Sequence, residues 1–498
     1  MGKSTIMLTF RLVLFSTLIL VSCEDNQKDK STKNSKDESQ GFMPDWVANA
    51  GAKEIEFKDS IYYVNDYDAI DDGSELTTEA IQMAIDECHE NGGGTVAFKP
   101  GVYLTGAVFV KEGINFRIDK GVEIRGSENI EDYTLIDTRV AGIEIKWPAA
   151  LINVRDQKNV RISGNGLVDG QGKVYWDYYW KLRKEYESKG LRWIVDYDAR
   201  RPRTFLISNS ENVFLKDLNI QKAGFWTVQV LYSKYVTVDG ITIRNNIGGH
   251  GPSTDGIDID SSQWILVQNC DIDCNDDNFC LKAGRDWDGL RVDKPTQYVV
   301  IKDCIARRGA GLFTIGSETS GDIRHVYVSN IRGIGTSNGL NIKSAMTRGG
   351  TVEDIYLENI KMDSVGTFME VSMNWNPSYS YSKLPKNYDI DSVPDHWRTL
   401  LKRVEPASRG IPKFRNISLY NIQVQNAKRA INVNGIDSSL VENITLKDVH
   451  IQGKTAGQIN YSKNWNLNNV SLDIEDGTQL NINNSKKVEF PDSIYAFN

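Results

Sequence analysis

The sequence predicts an all-β fold, a right-handed parallel β-helix with a small N-terminal capping helix. Three observations predict it. First, short alternating strands recur from about residue 150: Asn159-Val160-Arg161-Ile162, Asn212-Val213-Phe214-Leu215, Tyr235-Val236-Thr237-Val238, Trp264-Ile265-Leu266-Val267 and Tyr298-Val299-Val300-Ile301. His325, Asp354, Asn416 and Asn443 open further copies. Second, each strand runs into a polar turn and another short strand, as Val236 and Val238 are parted from Ile241 and Ile243 by Asp239-Gly240. Third, the period usually lies between the low twenties and mid thirties of residues. That suits one coil of a solenoid in which one row of residues points inward and Asn side chains stack at turns. A leucine-rich repeat would need a Leu/Asn consensus that is absent, and a propeller would need longer units with several hairpins each.

Taken in order, the chain opens like an export signal, residues 1–22. Lys3 and Arg11 supply positive charge, and Leu12 to Val21 form an apolar run too short for a comfortable membrane span. Leu20-Val21-Ser22-Cys23 resembles a bacterial lipobox, with Cys23 as the lipidated residue. Residues 24–41 follow as a Lys/Asp/Ser/Asn tether with almost no apolar content, too polar to fold alone. Glu24 and Asp25 are a weak form of the acidic signal that accompanies surface lipoproteins. The expectation is an outer-membrane lipoprotein, on the cell surface or facing the periplasm, with residues 42–498 as one monomeric catalytic domain.

Within that domain Ile61-Tyr62-Tyr63-Val64 reads as a strand. Thr77 or Thr78 opens a helix with Ile81, Ala84, Ile85 and Cys88 on one face. Gly92-Gly93-Gly94 ends it, and Thr95 to Phe98, Pro100-Gly101 and Val102 to Leu104 give strand, turn, strand. The glycine run follows a helix instead of opening one and lacks a following Lys-Ser/Thr, so it is not a phosphate loop. Two insertions interrupt the repeat. Residues 172–203 carry Trp176, Trp180, Trp193 and several Tyr, then Arg200, Arg201 and Arg203. Residues 374–412 carry Trp375, Tyr379, His396 and Trp397. Long loops in a compact fold tend to be functional. Aromatic faces stack on sugars and Arg pairs with carboxylates, although most of these rings are expected to pack the insertions onto the wall.

The formal net charge of -8 and pI of about 5.4 speak against a nucleic-acid partner. They do not forbid an anionic substrate, because binding responds to the local field of a cleft. Cys88, Cys270, Cys274, Cys280 and Cys304 show no convincing zinc spacing, so no metal site and no cofactor are expected from them. They read as small buried residues on stacked strands, with room for one disulfide.

The chemistry-bearing stretch is Ser253-Thr254-Asp255-Gly256-Ile257-Asp258, followed one short repeat later by Asn275-Asp276-Asp277. Residues one coil apart lie on neighbouring rungs, about 4.8 Å apart. Gly309-Ala310-Gly311 lies a further coil on and Asn341-Ile342-Lys343 another, so four motifs form a ladder on one face. Adjacent carboxylates repel, and one is pushed toward its protonated form. A protonated Asp can protonate a leaving oxygen while the others hold a water. The bland alternative is a calcium site or a solvated turn cluster, since Asp258, Asp260, Asp271 and Asp273 are near.

These motifs, with Ile315-Gly316-Ser317-Glu318 and Ile342-Lys343-Ser344 in the same order, resemble glycoside hydrolase family 28, the polygalacturonase and rhamnogalacturonan hydrolase family. The helix-to-Gly-Gly-Gly-Thr-Val segment and Tyr103-Leu104-Thr105-Gly106 resemble its N-terminal part. The resemblance implies a pectin-lyase-like solenoid and hydrolysis of pectic polysaccharide with inversion. It assigns Asp276 as general acid and Asp255 with Asp277 as activators of water, at a separation wider than the roughly 5–5.5 Å of a retaining pair. Lys343, Asn341, Glu318, Lys282 and His250 are the implied substrate-binding candidates.

Two departures stand out. The family usually has Gly-His-Gly where this chain has Gly309-Ala310-Gly311, and Arg-Ile-Lys where it has Asn341-Ile342-Lys343. Losing the Arg argues against a galacturonate on the leaving side and for a neutral sugar such as rhamnose. His250 is a candidate replacement for the missing imidazole. The expected substrate is rhamnogalacturonan or a branched pectic oligosaccharide. Alternatives are an exo-acting galacturonidase, a non-catalytic glycan-binding lipoprotein, and a calcium-dependent lyase on the same fold.

Overall fold

Strands form where the alternation is strongest. Val236 and Val238 point inward and are buried, and parallel pairing sets them on Ile265 and Val267, then on Val299 and Ile301. The computed structural model describes residues 43–496. Cys23, the expected export segment and the tether lie outside the described residues. Each coil contributes short strands that pair with their equivalents one coil on, and among the described residues this parallel pairing joins 33 strands. Like residues stack in columns, which lets aliphatic side chains fill the interior without crossing.

The turns use the left-handed backbone that Asn tolerates best. Asn159, Asn212, Asn416 and Asn443 all have φ between 54° and 61°. Their amides form the expected ladder: Asn212 Nδ2 donates to Asn159 Oδ1 at 2.7 Å, and Asn443 to Asn416 at 3.0 Å. In the middle coils the ladder changes chemistry. Tyr235, Trp264, Tyr298 and His325 hold the same position with the same backbone sign. Their rings stack, Trp264 on Tyr298 at 4.1 Å and Tyr298 on His325 at 5.0 Å. Ring stacking there offsets part of the cost of a left-handed backbone at a bulky residue.

The capping helix runs over Thr78–Glu90 and buries Ile81, Ala84, Ile85 and Cys88, as the pattern predicts. Thr77 precedes it, but its hydroxyl accepts from Ile70 N at 3.1 Å instead of capping the helix. Gln82 bonds both backbone groups of Phe109, which satisfies strand groups beneath the cap. The helix thereby keeps water off the first coils. All five cysteines of the described residues are free and buried. The room for a disulfide is not used: Cys270 and Cys304, neighbours on adjacent coils, stay free, with Cys270 N donating to Cys304 Sγ at 3.3 Å.

One feature of the site was not legible. Leu135–Val140 and Ile143–Pro148 form an antiparallel hairpin that leaves the solenoid. Its alternation looks like one more repeat. The first insertion folds as a helix, Lys173–Ser188, and a compact turn through Arg192–Ile194 and Val195–Asp198. The second holds two short helices, Pro377–Ser380 and Asp395–Leu401. The insertions pack on each other. Trp193 and Trp397 meet edge to face at 5.5 Å, and Trp193 Nε1 donates to Lys383 O at 3.0 Å. Together with Trp147 and Phe225 of the hairpin and wall they form a second apolar core. Most insertion aromatics therefore pack, as expected.

Candidate active site

Register determines which side chains reach the outer face. Ile257–Asp260 pairs with Phe279–Lys282, placing Asp258 against Cys280 and Asp260 against Lys282. The next coils carry Thr314 and then Asn341 along the row of Asp258 and Cys280. The row of Lys282 passes Gly316 before reaching Lys343. Gly316 has φ 100°, and a Cβ there would lie 1.9 Å from Lys343 O. Only glycine fits, because the Lys343 backbone approaches this position so closely.

Asp255 and Asp277 enter just before these strands, on neighbouring rungs, with Gly256 N donating to Asp277 O at 2.9 Å. Oxygens of Asp255, Asp276 and Asp277 lie within 4.8 Å of one another. The three predicted carboxylates therefore do meet. On nearest oxygens the gap is not wider than that of a retaining pair, because Asp276 and Asp277 are consecutive residues and Asp255 lies one rung, about 4.8 Å, away. Gly311 follows on the next rung. A Cβ there would lie 2.8 Å from Asp277 Oδ1, so this glycine makes room for the carboxylate.

The environments of the three differ. Asp277 is buried, yet Lys343 donates to its Oδ2 and Thr314 to its Oδ1, both at 2.8 Å. Burial raises its pKa, but Lys343, Lys282 and these hydrogen bonds outweigh that and hold the carboxyl below the usual range. Asp276 is half-buried. Burial and then the Asp277 charge push it up to about 6, against the pull of Lys343 and Lys282. Asp255 is buried with Oδ1 unpartnered, and burial followed by Asp258 and Asp276 pushes it well above the usual range. Asp258, fully buried, is pushed to about 8, mainly by burial.

Lys282 is the hub. Its Nζ lies 3.8 Å from Asp255, 3.5 Å from Asp258 and 3.5 Å from Glu318, and 4.9 Å from the centre of the Trp226 ring. Burial would strip its proton, but these carboxylates hold its pKa well above the ordinary value. Glu318 pays the converse way: burial opposes its charge, and Lys282, Arg348 and Arg285 bring it down to about 2.

Asp255, Asp276, Asp277, Lys282, Glu318 and Lys343 line one pocket, so six of the predicted site residues converge. Asn341 is buried beneath, its Nδ2 3.4 Å from Thr314 Oγ1. His250 is elsewhere. It is exposed, stacks on Trp180 at 5.4 Å, and bonds Asn275 Oδ1 at 3.1 Å. It does not stand in for the imidazole missing at Ala310.

The pocket has walls outside the ladder of motifs; of the residues that form them, the sequence singled out only the insertion aromatics Trp375 and Tyr379. Ala141 at the hairpin tip, Arg192 and Asp196 of the first insertion, Trp226 of the helix wall, and Trp375 and Tyr379 of the second insertion all line it. Buried Arg285 holds this wall together. It donates to Tyr197 Oη and Tyr379 O, each at 2.8 Å, and its backbone N donates to Gly142 O at 2.8 Å. Arg139, in the hairpin, is anchored to Asp260 at 2.9 Å with both side chains fully buried. Arg-rich, aromatic insertions were the only signal in the sequence, and it did not say which residues would face inward.

Comparison with known proteins agrees with this geometry. The profile of Glycosyl hydrolases family 28 matches residues 101–392. A probable polygalacturonase of Vitis vinifera is 27% identical over 380 residues, 73% of this chain and 74% of that protein. An exo-poly-alpha-D-galacturonosidase of Dickeya chrysanthemi is 27% identical over 65% of this chain and 60% of its own length. Among solved structures, an exopolygalacturonase of Thermotoga maritima superposes with a TM-score of 0.70 at 23% identity, covering 88% of this chain and 94% of that one. A family 28 exopolygalacturonase of Yersinia enterocolitica gives 0.71 at 24%, covering 86% and 78%. These likenesses identify the fold as the right-handed parallel β-helix. The chain belongs to glycosyl hydrolases family 28 and is a glycoside hydrolase.

Proposed function

We propose that this protein hydrolyses α-galacturonosyl linkages of pectin, acting on rhamnogalacturonan or branched pectic oligosaccharides. The observation that carries the reading is the different surroundings of three carboxyl groups whose oxygens lie within 4.8 Å of one another. Asp276, with a pKa of about 6, holds a proton in mildly acid solution and gives it to the glycosidic oxygen. Asp277, kept ionised by Lys343 and Thr314, takes a proton from water as the water oxygen bonds to the anomeric carbon and the glycosidic bond breaks. Asp255, held protonated by its surroundings, orients that water instead of deprotonating it. Carboxylate spacing alone does not select inversion here. Inversion follows from the proposed roles, in which Asp277 activates a water that attacks in a single displacement and no carboxylate bonds to the sugar. Proton NMR of the first-formed anomer tests this.

The leaving side supports a neutral sugar. Asn341 lies buried against Thr314 and offers an amide where the family has a guanidinium. Matched oligosaccharides with rhamnose or galacturonate at the leaving position decide the point, repeated with Asn341→Arg. Faster cleavage of the galacturonate-leaving substrate by the wild type would overturn this specificity.

A second reading concerns chain position. The hairpin tip, the first insertion and the second insertion, joined through Arg285, wall the pocket. A walled pocket favours exo action on a chain end, with monosaccharide as the sole early product. Oligosaccharides of mixed length from the first minutes would instead indicate endo action. The proposed setting is a lipid-anchored enzyme of the outer membrane. Retention in the membrane fraction, lost on Cys23→Ala, tests it.

A further inference from the structure

We propose that Arg192 is the specificity-determining cation of the pocket, receiving the carboxylate of a uronic acid bound as the sugar whose glycosidic bond is cleaved. This rests on the activity proposed above. Three cationic side chains line the pocket. Two are committed. Lys343 bonds Asp277 at 2.8 Å, and Lys282 sits within 3.8 Å of three carboxylates. Arg192 differs. Its Nη1 donates to Asp196 Oδ2 at 2.9 Å, and its Nε is 3.8 Å from Glu187. Its partners are shared with other cations. Asp196 Oδ1 also accepts from Arg201 at 3.2 Å and from Ser253 at 3.1 Å, while Glu187 accepts from Arg183 at 2.8 Å. Arg183, Arg192 and Arg201 against Glu187 and Asp196 leave one positive charge in excess. Arg201 is fully buried, and its other two nitrogens donate to Ala199 O and Pro252 O. Arg183 lies outside the pocket lining, so the excess is presented to the pocket through Arg192.

The geometry is preorganised. The Arg192 guanidinium lies 5.1 Å from the centre of the Tyr379 ring and is fixed by Asp196, so little side-chain freedom is lost on binding. The N–H groups of Nη2 remain for a ligand carboxylate. Electrostatics then divide between the two sides of the bond. An acidic sugar is held at Arg192, and a neutral one leaves toward Asn341, where the family Arg is missing.

The test measures kcat/KM on a galacturonosyl-rhamnose oligosaccharide and on its carboxyl-reduced, galactosyl counterpart. Wild type is expected to prefer the acid. Arg192→Gln is expected to lose about 10–100-fold on the acid, the worth of a charge-assisted hydrogen bond, and to stay within about twofold on the reduced form. Arg192→Lys, which keeps the charge without the fork, is expected to fall between. Equal losses on both substrates would mean a structural role and overturn the proposal. If wild type cleaves neither, the activity reading fails by itself. Calorimetry with free galacturonate and galactose then judges Arg192. Acid-selective binding that disappears in Arg192→Gln supports it, and selectivity that is absent or survives overturns it.

Discussion

Lys343 Nζ lies 2.8 Å from Asp277 Oδ2, joining residues 66 apart in the chain across two coils of the solenoid. The pair keeps a buried carboxylate ionised, which the proposed base requires. Replacing Lys343 by Met removes that support. The acidic limb of the kcat/KM profile is then expected to move to higher pH, because Asp277 must lose its proton to act and its pKa rises. The variant is also expected to lose about 3–5 kcal/mol of stability above the usual Asp range, where the carboxylate is left charged and unpaired. Chemical denaturation at pH 7 and a pH–rate series check both. An unmoved acidic limb would remove Asp277 from the base role.

Asp276 is expected to govern the alkaline limb. Its folded pKa of about 6 means the proton needed by the leaving oxygen is lost as pH rises through that value. Activity should decline above about pH 6, and Asp276→Asn should lose 10²–10⁴-fold or more below that pH, in the usual range for a general acid, with the gap to wild type narrowing as pH rises. Circular dichroism should show the fold intact. A rate profile flat from pH 6 to 9 would contradict the assignment.

Asp255 and Asp277 are expected to differ in severity. Burial beside Asp258 and Asp276 shifts Asp255 toward its protonated form, whereas Lys343, Lys282 and Thr314 shift Asp277 toward its anion. An amide replaces a protonated carboxyl as a donor but cannot replace an anionic base. Asp277→Asn should therefore cost at least about tenfold more than Asp255→Asn, within the general range of acid–base catalysis. Single-turnover rates on one substrate settle the order.

Asp258 links the site to stability. Its folded pKa, about 8, is above that of an unfolded Asp, so the folded state holds more protons between the two values. Stability from this group is present in acid and falls as pH rises through about 8. Asp258→Asn removes the buried charge that must form there. Its melting temperature relative to wild type should be higher at pH 8.5 than at pH 5. The reverse order would mean that Lys282 already neutralises Asp258 in full.

Activity is expected to survive chelation. The three clustered carboxylates could hold a cation, but Lys343 and Lys282 already supply positive charge to them. Complete loss of activity in excess chelator, restored by calcium, would favour a metal-dependent reaction.

The solenoid and its ladder of site residues were legible in the order and spacing of the residues. In a parallel β-helix, spacing along the chain converts directly into stacking, so Asp255, Asp276-Asp277 and Lys343 could be placed on one face from their separations alone. The capping helix was equally legible, since Ile81, Ala84, Ile85 and Cys88 repeat at helical spacing. Tertiary structure decided what surrounds the ladder. Arg192, Tyr379 and Ala141 reach the pocket from three segments that leave the solenoid, and nothing in their local pattern says which way they fold back. His250 shows the same limit: its nearness in sequence to Asp255 suggested the site, but stacking on Trp180 holds it outside. Charge states belong to this second class too. Asp255, Asp276 and Asp277 are one residue type, and only burial, a lysine two coils away and a threonine hydroxyl raise the first two and lower the third.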